Sequence, residues 1–410
     1  MIQTSAATYD VGGVLLERPF KIRRLGHFGL NAIRMEDCVR FYTEELGFRI
    51  SDRNDMGKRA ERPEEIAAFG DSRGYFMRHG TDHHSFVLFN KRVREHIDKL
   101  RTFAPGVVMN QISWQVGSLA EVMNGSQWLT DAGMKIQRVG RDMPGSNWHT
   151  YFYDPEGHTN ELYYGMEQIG WDGKSKPLSM HDRGFREVPQ LPQIPEDDEI
   201  RSSAQRGDDL DSGSEFRDAL PGADYDVEGI MLPRPFKVIK GGPISLFVAD
   251  VDAVARFYTE QLGMRVSEET VWNGRRCIFL RVNTEHHSIA LYPIELRESL
   301  GLRADSTTLS VGFQVGTYRQ LCDARTFLAK RGVRFVEVPA ELHPGIDYAF
   351  HVLDPDGQAV QVYFAMEQIG WDGRARPAAS RPKVMPNAWP ATLADTPDMY
   401  GGETLLGPLG

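Results

Sequence analysis

Three imidazoles and one carboxylate stand where titratable groups are unusual. His27 lies in LGHF, His83 and His84 form the pair in DHHSF, and Glu161 sits inside NELYYG, all in segments that carry aromatic residues. Imidazole is the side chain whose charge changes near neutral pH, and together with carboxylate it commonly binds divalent metals. These residue types can therefore move a proton or hold a cation. A lone histidine on an apolar strand is more often a hydrogen-bonded core group, so His27 by itself leaves both readings open. Burying Glu161 among aromatics is costly unless it is paired or metal-bound; its plain alternative is a rim carboxylate. On one strand His149 and Tyr151 would face the same way, as His84 and Phe86 would on another. Sulfur offers no comparable case. Cys38, Cys277 and Cys322 are odd in number and widely spaced, forming neither a disulfide framework nor a CxxC metal site.

The chain that must position these groups has 410 residues, 41% hydrophobic and 25% charged, enough for two domains that each bury a core. Its 47 basic against 57 acidic side chains give a net charge of −10, which lacks the basic surplus that draws a protein onto nucleic acid or anionic lipid. Neither nucleic acid nor membrane is expected as a partner. The start MIQTSAATYD has no basic segment followed by an apolar run, and nowhere do 18 apolar residues follow one another. A reduced, soluble, cytoplasmic protein is expected.

Internal repetition organises the chain. DVGGVLLERPFK at 10–21 returns as DVEGIMLPRPFK at 226–237, and RFYTEELGF at Arg40 returns as RFYTEQLGM at Arg256, both 216 residues on. MEQIGWDG at Met166 returns at Met366, 200 residues on, and His83-His84 returns as His286-His287. The copies divide the chain into 1–177, an acidic flexible linker at 178–222, a second copy at 223–377 and a C-terminal tail at 378–410. Residues 194–218 are rich in acidic, Ser and Gly residues, and such composition buries too little apolar surface to order itself.

Each copy divides again. In the first, Ile22–Ala32 reads as a strand, and Met35–Leu46 places Cys38, Phe41, Tyr42 and Leu46 on one helical face, with acids in the first turn and Gly47 as the stop. Segments 74–79 and 83–89 read as strands. The order recurs with strands at 112–116, 135–139, 149–154 and 160–165 around a helix from Leu119 to Ala132.

The segments LGHF (25–28), RFYTEELGF (40–48), GYFMRHGTDHHSFVLF (74–89) and YFYDPEGHTNELYYG (151–165) together resemble the catalytic domain of type I extradiol catechol 2,3-dioxygenases, in the vicinal oxygen chelate superfamily. The resemblance covers both copies and four motifs in the family's order, while the same fold also serves glyoxalases, epimerases, thiol transferases and binding proteins. It implies an α+β fold of four βαβββ modules forming two tandem eight-stranded cup-like domains. It also implies Fe(II), alternatively Mn(II), held by two histidines and a carboxylate with positions open for a diol and dioxygen. Carried over, the ligands fall on His27 and Glu161, with Gln111 at the second histidine's place. Glutamine keeps the charge of the site but is a harder, weaker donor. His84 matches the acid–base residue and Tyr151 the active-site tyrosine, with His149 as a substitute ligand or supporting donor.

In the second copy the ligand positions become Pro243, Ser310 and Gln361, although His287 survives. This half reads as a structural partner whose site has decayed. In the two-domain extradiol enzymes it is the N-terminal half that lacks metal, so the order here is reversed. The resemblance thus implies ring cleavage of a small aromatic diol with dioxygen in the first copy, the alternatives being a glyoxalase-like isomerase or lyase, or a non-catalytic binder of aromatic ligands. The fused pair can replace a homodimer contact, and further homo-oligomerisation is compatible with it.

Overall fold

The computed structural model describes residues 8–97, 106–141, 143–170, 172–180, 188–215, 222–370, 372–385 and 388–393. After a short hairpin (Tyr9–Val11 with Val14–Leu16), the first module runs β1 (Ile22–Ala32), α1 (Met35–Arg40), β2 (Arg49–Asp55), β3 (Arg73–Arg78) and β4 (Phe86–Asn90). The second runs β5 (Met109–Val116), α2 (Leu119–Asp131), β6 (Ile136–Arg141), β7 (Trp148–Tyr153) and β8 (Thr159–Tyr164). After α3 (Glu196–Arg206) the plan repeats as β9 (Val238–Val248), α4 (Val251–Arg256), β10 (Arg265–Trp272), β11 (Arg275–Arg281) and β12 (Ile289–Pro293). It closes with β13 (Thr308–Val315), α5 (Tyr318–Lys330), β14 (Phe335–Val336), β15 (Ala349–Leu353) and β16 (Ala359–Tyr363).

Each copy forms one eight-stranded sheet, in the orders β2-β3-β4-β1-β5-β8-β7-β6 and β10-β11-β12-β9-β13-β16-β15-β14. The α+β architecture of four strand-helix-three-strand modules in two eight-stranded sheets is therefore the one expected. The first helix differs in detail. The α-helix ends at Arg40 and continues as a π-helical turn, Phe41–Glu45, with Leu46 N–H donating to the Phe41 carbonyl. The wider turn buries both Phe41 and Tyr42.

One sequence expectation needs correction. Residues 194–218, expected to remain a flexible tether, contain the ordered helix α3, whose first turn holds four acids and whose last holds Arg206 before a left-handed Gly207. Its Glu199 meets Arg141 at 2.5 Å and Lys176 at 3.3 Å. Acidic composition that cannot build a core here matches the helix dipole and a basic rim. Besides a cluster of its own in each copy, the two copies share a core. Phe28, Tyr42, Phe48 and Phe86 of the first pack with Phe313 of the second in a single apolar cluster. In the tail, Arg381 pairs with Glu268 and the Pro390 carbonyl accepts from Tyr318 Oη, so the tail touches the second copy at these two residues.

The contact between copies is reciprocal. Glu156 accepts the backbone N–H groups of Ala249 and Asp250 at the start of α4, and Asp356 accepts those of Ile33 and Arg34 at the start of α1. Tyr258 donates to Asp154, as Tyr42 does to Asp354. His158 also bonds Asp154, whereas the second copy has Gln358 in that place, bonded to Ser306. Burial, helped by the charge of Asp356, pushes the Asp354 carboxyl up to about 7. The folded protein thus keeps a proton that the unfolded chain releases above its ordinary carboxyl range, so this position loses stability as pH rises from about 4 to 7. Asp354→Asn keeps an acceptor for the Asp356 and Gln358 N–H groups. It should raise stability on the order of 1–3 kcal/mol at pH 8 and have little effect at pH 4. Denaturant unfolding at the two pH values checks this; an equal change at both would refute it.

Candidate functional site

Strand pairing sets the site. Antiparallel β1 and β5 put His27 opposite Ser113, and parallel β5 and β8 put Ser113 beside Glu161. Antiparallel β7 adds Tyr151 opposite Glu161 and His149 opposite Tyr163. Paired residues share a face, so His27, Ser113, Glu161, Tyr163, Tyr151 and His149 line one side of the sheet. Their neighbours Phe28, Ile112, Trp114, Leu162 and Phe152 fill the main core on the other. An irregularity between Leu25 and His27 leaves Gly26 beside the Tyr163 hydroxyl, where a Cβ would lie 1.8 Å from its oxygen. Glycine there lets the Tyr163 ring reach His27, 4.7 Å between centroids.

His27 and Glu161 are both wholly buried, with His27 Nε2 3.0 Å from Glu161 Oε2. That approach is not aligned as a hydrogen bond, and neither ring nitrogen of His27 has a hydrogen-bond partner. Glu161 accepts from Asn147 Nδ2 at 2.9 Å on one oxygen and from Ser113 Oγ on the other. Gln111 lies one pleat along: its Nε2 is 3.4 Å from Glu161 and its Oε1 accepts from Asn110 at 2.9 Å.

His84 packs edge-on against His27, 4.5 Å between centroids, and against Phe76. Burial and then the neighbouring His27 and His83 rings push its imidazolium form well down, so His84 is neutral at ordinary pH. Tyr151 and His149 stack 4.7 Å apart, with the Arg138 guanidinium 4.5 Å from the Tyr151 ring centre.

The structure brings His27, Glu161, Gln111 and His84 together and sets Tyr151 opposite Glu161 in register, with two differences from the sequence reading. Ser113, not Gln111, stands in register between His27 and Glu161. The one-pleat difference is invisible without knowing which strands pair. His84 and Phe86 do not face the same way: β4 begins only at Phe86, which joins the main core with Phe28, while His84 precedes it and turns toward His27. Sequence reasoning also missed Asn147 and Ser113. Position 113 was readable only as the next residue on the face of Gln111, and Asn147 gave no signal.

An imidazole nitrogen and a carboxylate oxygen about 3 Å apart, without hydrogen-bond alignment, fit two ligands at about 2.1 Å subtending about 90° on one ion. Beyond this pair the nearby donors are the neutral oxygens of Ser113 and Gln111. Among the described residues no group of three or more His, Cys, Asp or Glu could hold a metal ion. The donor set thus suits a hard divalent cation but is one imidazole short of two histidines and a carboxylate. In the second copy Pro243 replaces His27, Gly312 replaces Ser113 and Gln361 replaces Glu161, with His351 opposite Gln361.

Comparison with known proteins places the fold. The model of the Glyoxalase/Bleomycin resistance protein/Dioxygenase superfamily matches residues 24–162 and 241–362. Metapyrocatechase 2 of Cupriavidus necator is 28% identical over 148 residues, 36% of this chain and 38% of that protein, so the match spans well under half of either. Among solved structures, the Mn(II)-bound glyoxalase from Novosphingobium aromaticivorans is similar with a TM-score of 0.52 at 14% identity, covering 86% of this chain and 85% of that one. Homoprotocatechuate 2,3-dioxygenase from Arthrobacter globiformis gives 0.52 at 16% identity, covering 86% and 83%. The two matched regions fall on the two sheets, and the chain belongs to the Glyoxalase/Bleomycin resistance protein/Dioxygenase superfamily as a tandem duplication of its domain.

Proposed function

We propose that the N-terminal cup is an extradiol ring-cleaving dioxygenase site for a catechol-like aromatic diol and dioxygen, with Fe(II), or alternatively Mn(II), as cofactor. The observation that carries this reading is the buried approach of His27 Nε2 to Glu161 Oε2, present in the first copy and replaced by Pro243 and Gln361 in the second. His27 and Glu161 would hold the ion, with a neutral oxygen from Gln111 or Ser113 beside them. When bound, the ion would supply a centre at which adjacent diol oxygens and dioxygen meet in fixed orientation.

The chain's own residues do the rest. Neutral His84, beside the ligand row, accepts a proton from the diol, which requires an unprotonated imidazole. Tyr151, opposite Glu161, donates to oxygen as charge develops on it. His149 supports Tyr151 by stacking on it. Phe76 and Tyr163 give the His27 and His84 rings an apolar border that keeps bulk water out. The similarity to Metapyrocatechase 2 supports the substrate class.

The donor set, one imidazole short of the two histidines and a carboxylate that suit dioxygen chemistry at iron, favours a second reading, a glyoxalase-like isomerase or lyase that makes no use of dioxygen. Oxygen uptake on a panel of catechols with metal-replete protein separates the two. Consumption with a ring-opened, yellow product supports the first, and unchanged oxygen refutes it.

Three expected outcomes follow from the ligand row. Glu161→Gln should reduce bound metal to below about a tenth of an equivalent per chain, measured by elemental analysis of the full-length protein. Retained metal would place the ligands elsewhere. Ser113→His should tighten Fe(II) binding about tenfold or more if the register position is the third ligand, and Gln111→His should do so if Gln111 is. No gain from either would remove both from the metal. His84→Gln should lower kcat about 10²–10⁴-fold with little change in KM, and a full-rate variant would exclude His84 as the base.

A further inference from the structure

His84 is the end of a buried chain that its proposed role as a base does not by itself require. His83 Nε2 lies 3.1 Å from Asp52 Oδ2, and His83 Nδ1 lies 3.0 Å from His84 Nδ1. Both rings and the carboxylate are buried. Burial pushes the Asp52 carboxyl up, but hydrogen bonds from His83, from Ser175 at 2.6 Å and from Ser214 at 2.5 Å outweigh it and hold the group below its usual value. Asp52 is therefore a carboxylate, and a carboxylate only accepts.

Donor and acceptor roles then propagate along the chain. His83 must carry its proton on Nε2 to donate to Asp52, so in the neutral ring Nδ1 is a lone pair. Two lone pairs 3.0 Å apart would repel, so His84 supplies the proton between the two Nδ1 atoms. A neutral imidazole with its proton on Nδ1 has its lone pair on Nε2, at the ring edge away from His83. Gly145, at φ +108°, closes over the pair: a Cβ there would lie 2.9 Å from His84 Cε1 and 3.3 Å from His83 Nδ1.

The second copy supplies a contrast. Glu268, His286 and His287 repeat the chain at 2.9 and 3.0 Å, yet Glu268 is gripped by Arg381 at 2.9 and 2.5 Å. Where the ligand row is lost, a guanidinium engages the carboxylate; where the row is kept, hydroxyls and His83 do.

We propose that Asp52 and His83 are positioning residues that fix His84 as the tautomer protonated on Nδ1, leaving its Nε2 lone pair as the proton acceptor of the N-terminal cup. The catalytic use of that lone pair rests on the ring-cleavage reading above; the tautomer does not.

The test is a two-bond ¹H–¹⁵N correlation spectrum of full-length protein labelled at histidine, with His84 assigned by its loss in His84→Gln. His84 Nε2 should resonate as an unprotonated nitrogen and Nδ1 as a protonated one. Asp52→Asn, whose amide can donate as well as accept, should mix the tautomers and lower kcat about tenfold or more while KM stays within about twofold. Asp52→Glu, the second copy's residue, should restore both. Wild-type His84 protonated on Nε2 overturns the proposal even if Asp52→Asn does not fold, and so does an unchanged tautomer in a folded Asp52→Asn. The expected tautomer in a protein without dioxygenase activity would remove the functional reading and leave the positioning role standing.

Discussion

A wholly buried carboxylate facing an imidazole across three strands is the constraint on which the N-terminal copy turns. Taking Glu161 out of water is costly, and the residues around it are arranged to offset that cost: Ser113 and Asn147 donate to its two oxygens while His27 comes within 3.0 Å. The same requirement explains the bare backbone at Gly26, which admits the Tyr163 ring beside His27. Four strands must keep their register for this set to meet. A slip of one residue would send each polar group into the apolar core and each core residue to the site face.

The duplication shows what the scaffold needs when that carboxylate is gone. With Gln361 in place of Glu161, the second copy has no buried charge at this point, and Pro243 and Gly312 can replace its partners without loss of the sheet. The histidine pair nevertheless persists, tied to Glu268 in place of Asp52. Fold and site are thus separable in one chain: strand order and core belong to both copies, the His27–Glu161 approach to one.

The copies support one another through a shared core and two matched polar locks. Each lends an acid to cap the start of the other's first helix, and each sends a buried tyrosine to the other's aspartate. Groups that satisfy orphan N–H donors or buried hydroxyls across an interface make separation of the copies costly, because each would be left unpaired. The inter-copy segment adds a third contact, since Ser214 reaches Asp52 and Glu199 reaches Arg141 on the first copy's rim.

Much of this was legible in the sequence. The repeat offsets, strand alternation and helix stops yielded the four modules, and the aromatic surroundings of His27 and Glu161 marked them as unusual. Local composition misled at 194–218, where acids that bury no apolar surface still order a helix by matching its dipole and a basic rim. Period-two alternation tells which residues of a strand share a face, but not which strand lies alongside or at what register. Ser113, rather than Gln111, therefore emerged between His27 and Glu161 only from the pairing of β1, β5 and β8. The same holds for Asp52 and His83: their hydrogen bond joins β2 to the turn before β4, and its partners come together only when the sheet closes. Residue type and spacing determined what chemistry was possible, whereas tertiary structure decided which groups meet, because hydrogen bonds and ligand contacts depend on distances of about 3 Å between strands far apart in the chain.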